Sequence, residues 1–100
     1  MNTSYLQLVG LAIRARKVVL GEQQIIKKIQ SKKARLVLLA SDTGEQTRKK
    51  ITDKCKFYTI PYVFVDDRET LSQAIGSPGR VAVAIMDKGF ANKLESLLKV

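Results

Sequence analysis

Apolar and polar positions change their period several times along this chain, and each change marks an element. From Ser4 to Ala15, Leu6, Val9 and Ile13 recur at i, i+3 and i+7, with Leu8, Leu11 and Ala12 widening the stripe. That spacing predicts a helix with a broad buried side. Ser4 and Gln7 have the separation of a reciprocal N-terminal cap. Arg14, Arg16 and Lys17 bring positive charge to its C-terminal end, where the helix dipole favours it. Lys17 to Leu20 predicts a short strand. Gly21 then opens a helix that buries Ile25, Ile26 and Ile29 and closes at Ser31-Lys32-Lys33. Arg35 to Ala40 runs without alternation, apolar from Leu36 onward, which predicts a strand covered on both faces.

The second half repeats the scheme. Ser41-Asp42-Thr43-Gly44 reads as a turn, with Thr43 and Gln46 as a possible capping box for a helix over Glu45 to Lys56. That helix has a narrow apolar side (Thr47, Ile51, Cys55 and then Tyr58) and a largely cationic remainder. Pro61 precedes a strand over Tyr62 to Val65, an edge or entry position for a proline. Asp66-Asp67 starts a short helix with Leu71, Ala74 and Ile75 inward, and carboxylates there complement the dipole rather than gather a metal. Gly76 to Arg80 is a tight loop, Val81 to Met86 a second fully apolar strand, and Asp87 caps a last helix carrying Phe90, Leu94, Leu97 and Leu98. Helices alternating with buried strands predict an α/β chain folded as a three-layer α/β/α sandwich, one domain over residues 1–100.

Charge adds the first functional clue. The chain has 100 residues and a formal net charge of +9. The first 56 residues hold 13 Lys/Arg against 4 Asp/Glu, and the remaining 44 hold 5 of each, so the surplus belongs to the first half. A basic face of that kind meets a polyanion or simply keeps the chain soluble. No apolar run is long enough to span a bilayer, and Met1 to Tyr5 lacks the pattern of a secretory signal. With no histidine and a lone cysteine, a zinc site and histidine-based acid–base catalysis are excluded, and a reduced, cytoplasmic setting is expected. Cys55 falls on an apolar stripe and reads as core rather than nucleophile. Neither a dinucleotide fingerprint nor a Walker A motif occurs, and Ser41 and Asp42 have no histidine with which to form a triad. No enzyme activity, cofactor or metal is expected.

The stretch that carries recognition chemistry surrounds Gly21. The first N–H groups of a helix lack intrahelical acceptors and bear partial positive charge, which suits them to anions. Gly21 lets another backbone approach. Gln23 and Gln24 each offer an amide donor and acceptor, the equipment that grips base edges. Lys27 and Lys28 follow one turn later with arms that reach phosphates, and Arg16 and Lys17 are expected to flank the Gly21 turn and extend its basic surface. The segment reads as an RNA-binding edge.

Four stretches in this order carry a resemblance: Gly21-x-Gln23-Gln24-Ile25-Ile26-Lys27 after a short strand; Ala34 to Asp42; Ile60 to Val65; and Leu71-x-x-Ala74-Ile75-Gly76 before a Val/Ala-rich strand. Over nearly its full length the chain resembles the kink-turn RNA-binding ribosomal protein superfamily, the L-seven-Ae and L-thirty-e group, and within it the small bacterial members. The resemblance implies a four-stranded mixed sheet between helices and binding to a sharply bent internal loop with sheared G·A pairs. It puts Gln23 where an Asn usually stands, Gln24 where a Glu stands, Lys27 on the family's lysine, and Gly79 and Arg80 in a loop over an extruded nucleotide. Gln23 lengthens the reaching arm, and Gln24 gives up a charge-assisted bond to guanine that is roughly twice as strong as a neutral one. Val19 and Leu20 stand where basic residues are frequent, and Ser72 where glycine is common. The implied partner is structured RNA, ribosomal RNA or another kink-turn RNA, with ribosomal proteins alongside, bound by a monomer away from any membrane. A protein–protein adaptor of the same fold is the alternative; it would display an exposed apolar patch.

Overall fold

A computed structural model describes residues 4–99. Its elements are α1 (Ser4–Arg14), β1 (Val18–Leu20), α2 (Glu22–Gln30), β2 (Leu36–Leu39), α3 (Glu45–Tyr58), β3 (Tyr62–Phe64), α4 (Arg68–Ile75), β4 (Ala82–Ile85) and α5 (Lys88–Leu98). The four strands form one mixed sheet in the order β1-β4-β2-β3, with β2 and β3 parallel and the other pairs antiparallel. The two strands that lack alternation, β2 and β4, are the central ones and are buried throughout. β3, entered through Pro61, is an edge.

Strand pleat sorts the apolar side chains into two cores. Leu36, Leu38, Val83 and Ile85 face α1, α4 and α5, where Tyr5, Val9, Leu71 and Leu94 meet them. Val37, Leu39, Ala82 and Ala84 face α2 and α3, meeting Ile25, Ile29, Ile51 and Cys55. The chain is thus a three-layer α/β/α sandwich. Burial pushes the Cys55 thiol up to about 12, which leaves it an inert core residue. α2, at nine residues, is too short to persist alone. Ile25 and Ile29, both fully buried, hold it down, each contributing roughly 1.5–3 kcal/mol.

Pairing registers give the sheet two distinct ends. Val18 and Leu36 both lie opposite Ile85, whereas Leu20 lies opposite Val83 and Leu39 opposite Ala82. β1 and β2 therefore start at one end, here the far end, and finish at the other, the tip end, where α2 and α3 begin.

Three local expectations change. Leu11 is 48% exposed and lies outside the buried stripe of α1. Thr43 does not form a capping box with Gln46. Its hydroxyl donates to the Ala40 carbonyl at 2.6 Å, and Gly44 occupies the N-cap of α3 without a side-chain cap. Thr43 is buried, so its hydroxyl satisfies a nearby carbonyl instead of reaching forward. The Ser4 side chain, one half of the expected cap on α1, is not among the described side chains, and Met1 to Thr3 lie outside the described residues. By contrast, Asp67 and Asp87 cap α4 and α5, accepting from the N–H groups of Thr70 (2.8 Å) and Phe90 (2.9 Å). The bond from the Thr70 N–H holds the Asp67 carboxyl below its ordinary range. Asp66 instead accepts from the Tyr5 hydroxyl.

Candidate nucleic-acid interface

Gly21 is the N-cap of α2, with φ 90° and ψ 132°. An L-residue rarely adopts that conformation, and glycine supplies it without steric cost. The first helical bond runs from the Ile25 N–H to the Gly21 carbonyl at 2.9 Å, and no side chain caps the turn. The N–H groups of Glu22, Gln23 and Gln24 therefore open outward at the positive end of the dipole.

Helical geometry then fixes what surrounds them. At about 100° per residue, Gln23, Gln24 and Lys27 fall within one arc of roughly 100°, opposite the buried Ile25 and Ile29, and all three are exposed. Two carboxamides and an ammonium group thus share one outward surface. Lys28 sits half-buried on the flank of the same helix. Glu22, the acidic residue of the first turn, lies 3.8 Å from Lys50 of α3, which draws its charge away from Gln23, Gln24 and Lys27.

The loop between α4 and β4 arrives at the same place. Gly79 and Arg80 join Gly21, Glu22, Ile25 and Thr47 around a cleft of about 110 Å³. An Arg80 guanidinium nitrogen comes to 4.0 Å from where a Cβ on Gly21 would stand. Residues almost sixty positions apart thus form one edge.

Ser72 sets the position of Arg80. It is buried on the inner side of α4, donates to the Arg80 carbonyl at 2.9 Å and accepts from the Arg80 N–H at 3.0 Å. The Arg80 side chain also donates to Ser77 at 3.3 Å. Sequence reasoning noted Ser72 only as a replacement for glycine. The signal for its role is a lone hydroxyl between the inward residues Leu71 and Ile75, a position where a polar group needs a specific partner.

Arg16 and Lys17 do not flank the Gly21 turn. β1 separates them from it, and Lys17 lies four residues, roughly 13 Å along the strand, from Gly21. The Lys17 carbonyl accepts from the Met86 N–H at 2.7 Å, which fixes it at the far end. Short spacing in sequence suggested adjacency, but the intervening strand is extended and carries the two groups to opposite ends of the sheet.

Phe57 is the other feature that the sequence did not single out. It is 78% exposed and stands beside Ile26, Lys50 and Lys54 in the groove between α2 and α3.

Comparison with known proteins agrees with this architecture. The ribosomal protein L7Ae/L30e/S12e/Gadd45 family matches residues 3–95. A protein of Bacillus subtilis (strain 168) named RNA-binding protein YlxQ is 55% identical over 91 residues, 91% of each chain. A solved structure of a protein of unknown function from Bacillus halodurans C superposes with a TM-score of 0.93 at 42% identity, covering 99% of this chain and 100% of the other. The Giardia lamblia 15.5kD RNA binding protein shares the fold, with a TM-score of 0.73 at 21% identity over 92% of this chain and 85% of its own.

Proposed function

The chain belongs to the ribosomal protein L7Ae/L30e/S12e/Gadd45 family, and from that premise we propose that it binds structured RNA as a single-domain, non-catalytic monomer. The RNA is a kink-turn-like internal loop with G·A pairs, in ribosomal RNA or in another RNA that works beside ribosomal proteins. One observation carries the reading: at the uncapped start of α2, Gln23, Gln24 and Lys27 are exposed on a single outward arc, with Arg80 beside Gly21. The backbone N–H groups and Lys27 take phosphates, the carboxamides of Gln23 and Gln24 take base edges in the widened groove, and Gly79 and Arg80 cover the nucleotide that the bend extrudes. Lys28 supports them from the flank.

Fluorescence anisotropy with a labelled kink-turn hairpin tests this, alongside a control hairpin whose G·A pairs are replaced by Watson–Crick pairs. Lys27→Ala weakens binding to the hairpin several-fold. Gln24→Ala reduces the preference for the hairpin over its control. With four or five phosphates neutralised, affinity falls with salt at a log–log slope of roughly −3 to −5. If both variants bind the hairpin as the wild type does, the site is elsewhere.

Phe57 favours a second reading, the adaptor, because an aromatic ring so exposed beside Ile26 suits a protein partner. Phe57→Ser leaves RNA affinity intact if the ring serves that purpose and lowers it if the ring stacks on RNA.

A further inference from the structure

The far end of the sheet collects cations from three separate connections. The α1–β1 turn contributes Arg16 and Lys17, the α2–β2 turn contributes Lys32, Lys33 and Arg35, and α5 opens with Lys88. Backbone bonds tie these turns around the end of β4. Lys17 accepts from the Met86 N–H at 2.7 Å, and the Arg35 N–H donates to Ile85 at 2.8 Å. Lys17 and Arg35 thus stand on either side of β4, roughly 10 Å apart at the backbone. All six side chains are exposed, and among the described residues none of the six is held in an ion pair. The carboxylate beside them, Asp87, is turned to the Phe90 N–H.

Helix stability alone does not account for this cluster. Cations near the ends of α1 and α2 complement the dipole, but Lys88 stands at the start of α5, where a positive charge opposes it. α1 and α2 both end in a turn of the same kind. The Arg16 and Lys32 N–H groups bond to Ile13 and Ile29, and the Lys17 and Lys33 N–H groups bond to Ala12 and Lys28. Arg16 (φ 58°) and Lys32 (φ 59°) occupy the left-handed position of that turn, where glycine is the ordinary and less strained choice. α4 has Gly76 at the corresponding place. At the far end, cations stand at two positions where glycine would be less strained; Thr59 and Lys99 take the same left-handed position at the ends of α3 and α5.

We propose that the far end is a second RNA contact, separate from the Gly21 edge, which grips the sugar–phosphate backbone of a duplex through charge without reading bases. Backbone tethers fix the spacing of the cations, and the six side chains themselves carry no carboxamide or aromatic ring.

The test uses the full chain and a blunt RNA duplex two helical turns long with no internal loop, so it does not depend on how the Gly21 edge is read. Arg16→Gly/Lys32→Gly removes two charges while easing two strained positions, so the variant melts at or above the wild-type temperature and any loss of binding is not misfolding. Lys49→Gln/Lys93→Gln removes two charges from other surfaces and controls for net charge. The glycine pair is expected to bind the duplex at least fivefold more weakly, with a salt slope shallower by about 1.5–1.8, and the control pair to stay within twofold of wild type. The proposal is overturned if the glycine pair matches wild type or if the control pair loses as much. It is also overturned if the wild type binds phosphatidylserine vesicles or polyglutamate as tightly as the duplex, since the far end would then be selecting generic anions.

Discussion

Replacing Gly21 with alanine isolates the backbone conformation on which the recognition edge is built. The added methyl group meets no obstacle, since its one neighbour is an Arg80 nitrogen at 4.0 Å, which is ordinary contact. The cost is therefore conformational: at φ 90° and ψ 132° an L-residue is strained by roughly 1–3 kcal/mol. Gly44 provides the internal control. It also caps a helix without a side-chain bond, but at φ −57° and ψ 149°, with open space around the added carbon. The change in capping and the loss of unfolded-state entropy are common to Gly21→Ala and Gly44→Ala and cancel in their difference. Urea unfolding, compared at equal m-values, should find Gly21→Ala less stable than Gly44→Ala by about 1–3 kcal/mol. In a chain of this size that is a difference of roughly 4–20 °C in Tm. If the protein relieves the strain by moving the turn, affinity for the kink-turn hairpin falls with it, and Gly44→Ala leaves affinity unchanged. A difference below about 0.5 kcal/mol, the range of ordinary surface substitutions, together with unchanged affinity for the hairpin, would refute the assigned backbone geometry and its role in opening α2.

Two further predictions concern the supports of that edge and of the core behind it. Ser72→Ala leaves the Arg80 N–H and carbonyl without the partner they share. It should cost about 1–3 kcal/mol and loosen Arg80, detectable as weaker kink-turn binding without a change in affinity for plain duplex. Burial, and then the bond to Asp66, raise the Tyr5 hydroxyl from 10.0 to about 12. The folded state therefore favours the neutral phenol, and this stabilisation is complete below pH 10 and is lost as pH rises through about 12. Tyr5→Phe should be less stable than wild type by about 0.5–1.5 kcal/mol at neutral pH, with the gap closing between pH 10 and 12; a gap that stays constant across that window rules out the coupling.

Elements with a strong period were readable without coordinates. The unbroken apolar runs Leu36 to Ala40 and Val81 to Met86 announce the two central strands, because a strand buried on both faces needs no polar alternation. Asp87 announces its cap by standing immediately before a helical repeat. At the Gly21 edge, Gln23, Gln24 and Lys27 follow from helical spacing alone. Arg80 reaches that edge only through the resemblance, because nothing local in Gly76 to Arg80 says which turn it approaches. Placement across the sheet was not legible for Arg16 and Lys17. Deciding which end they occupy requires the direction of β1 relative to β4, and that depends on the antiparallel pairing of Val18 with Ile85. The role of Ser72 was hidden for a related reason: its partner is the backbone of Arg80, eight residues away across a loop whose path is tertiary.

On the two proposed contacts, the arrangement of helix ends separates attraction from readout in this chain. α2, α3 and α4 all begin at the tip end, and stability draws carboxylates there: Asp67 caps α4, Glu45 opens α3 and Glu22 opens α2. Asp42 stands among them, bound to Arg68. These acids partly cancel the positive field that three helix starts would otherwise present to a phosphate chain. Only the outer side of α2, where Glu22 turns away toward Lys50, keeps its donors open, and what it offers is mostly uncharged amide. In the role proposed for it, such a surface discriminates through geometry and hydrogen bonds, both of which salt screens weakly. The far end groups six cations that are in no ion pair among the described residues, and the pull of such a group on a polyanion reaches across solvent and declines steeply with ionic strength. On the two proposed contacts, capping chemistry at the tip and cationic turns at the far end divide the work. Raising salt should weaken binding to every RNA while leaving the ratio between a G·A loop and its Watson–Crick control nearly constant.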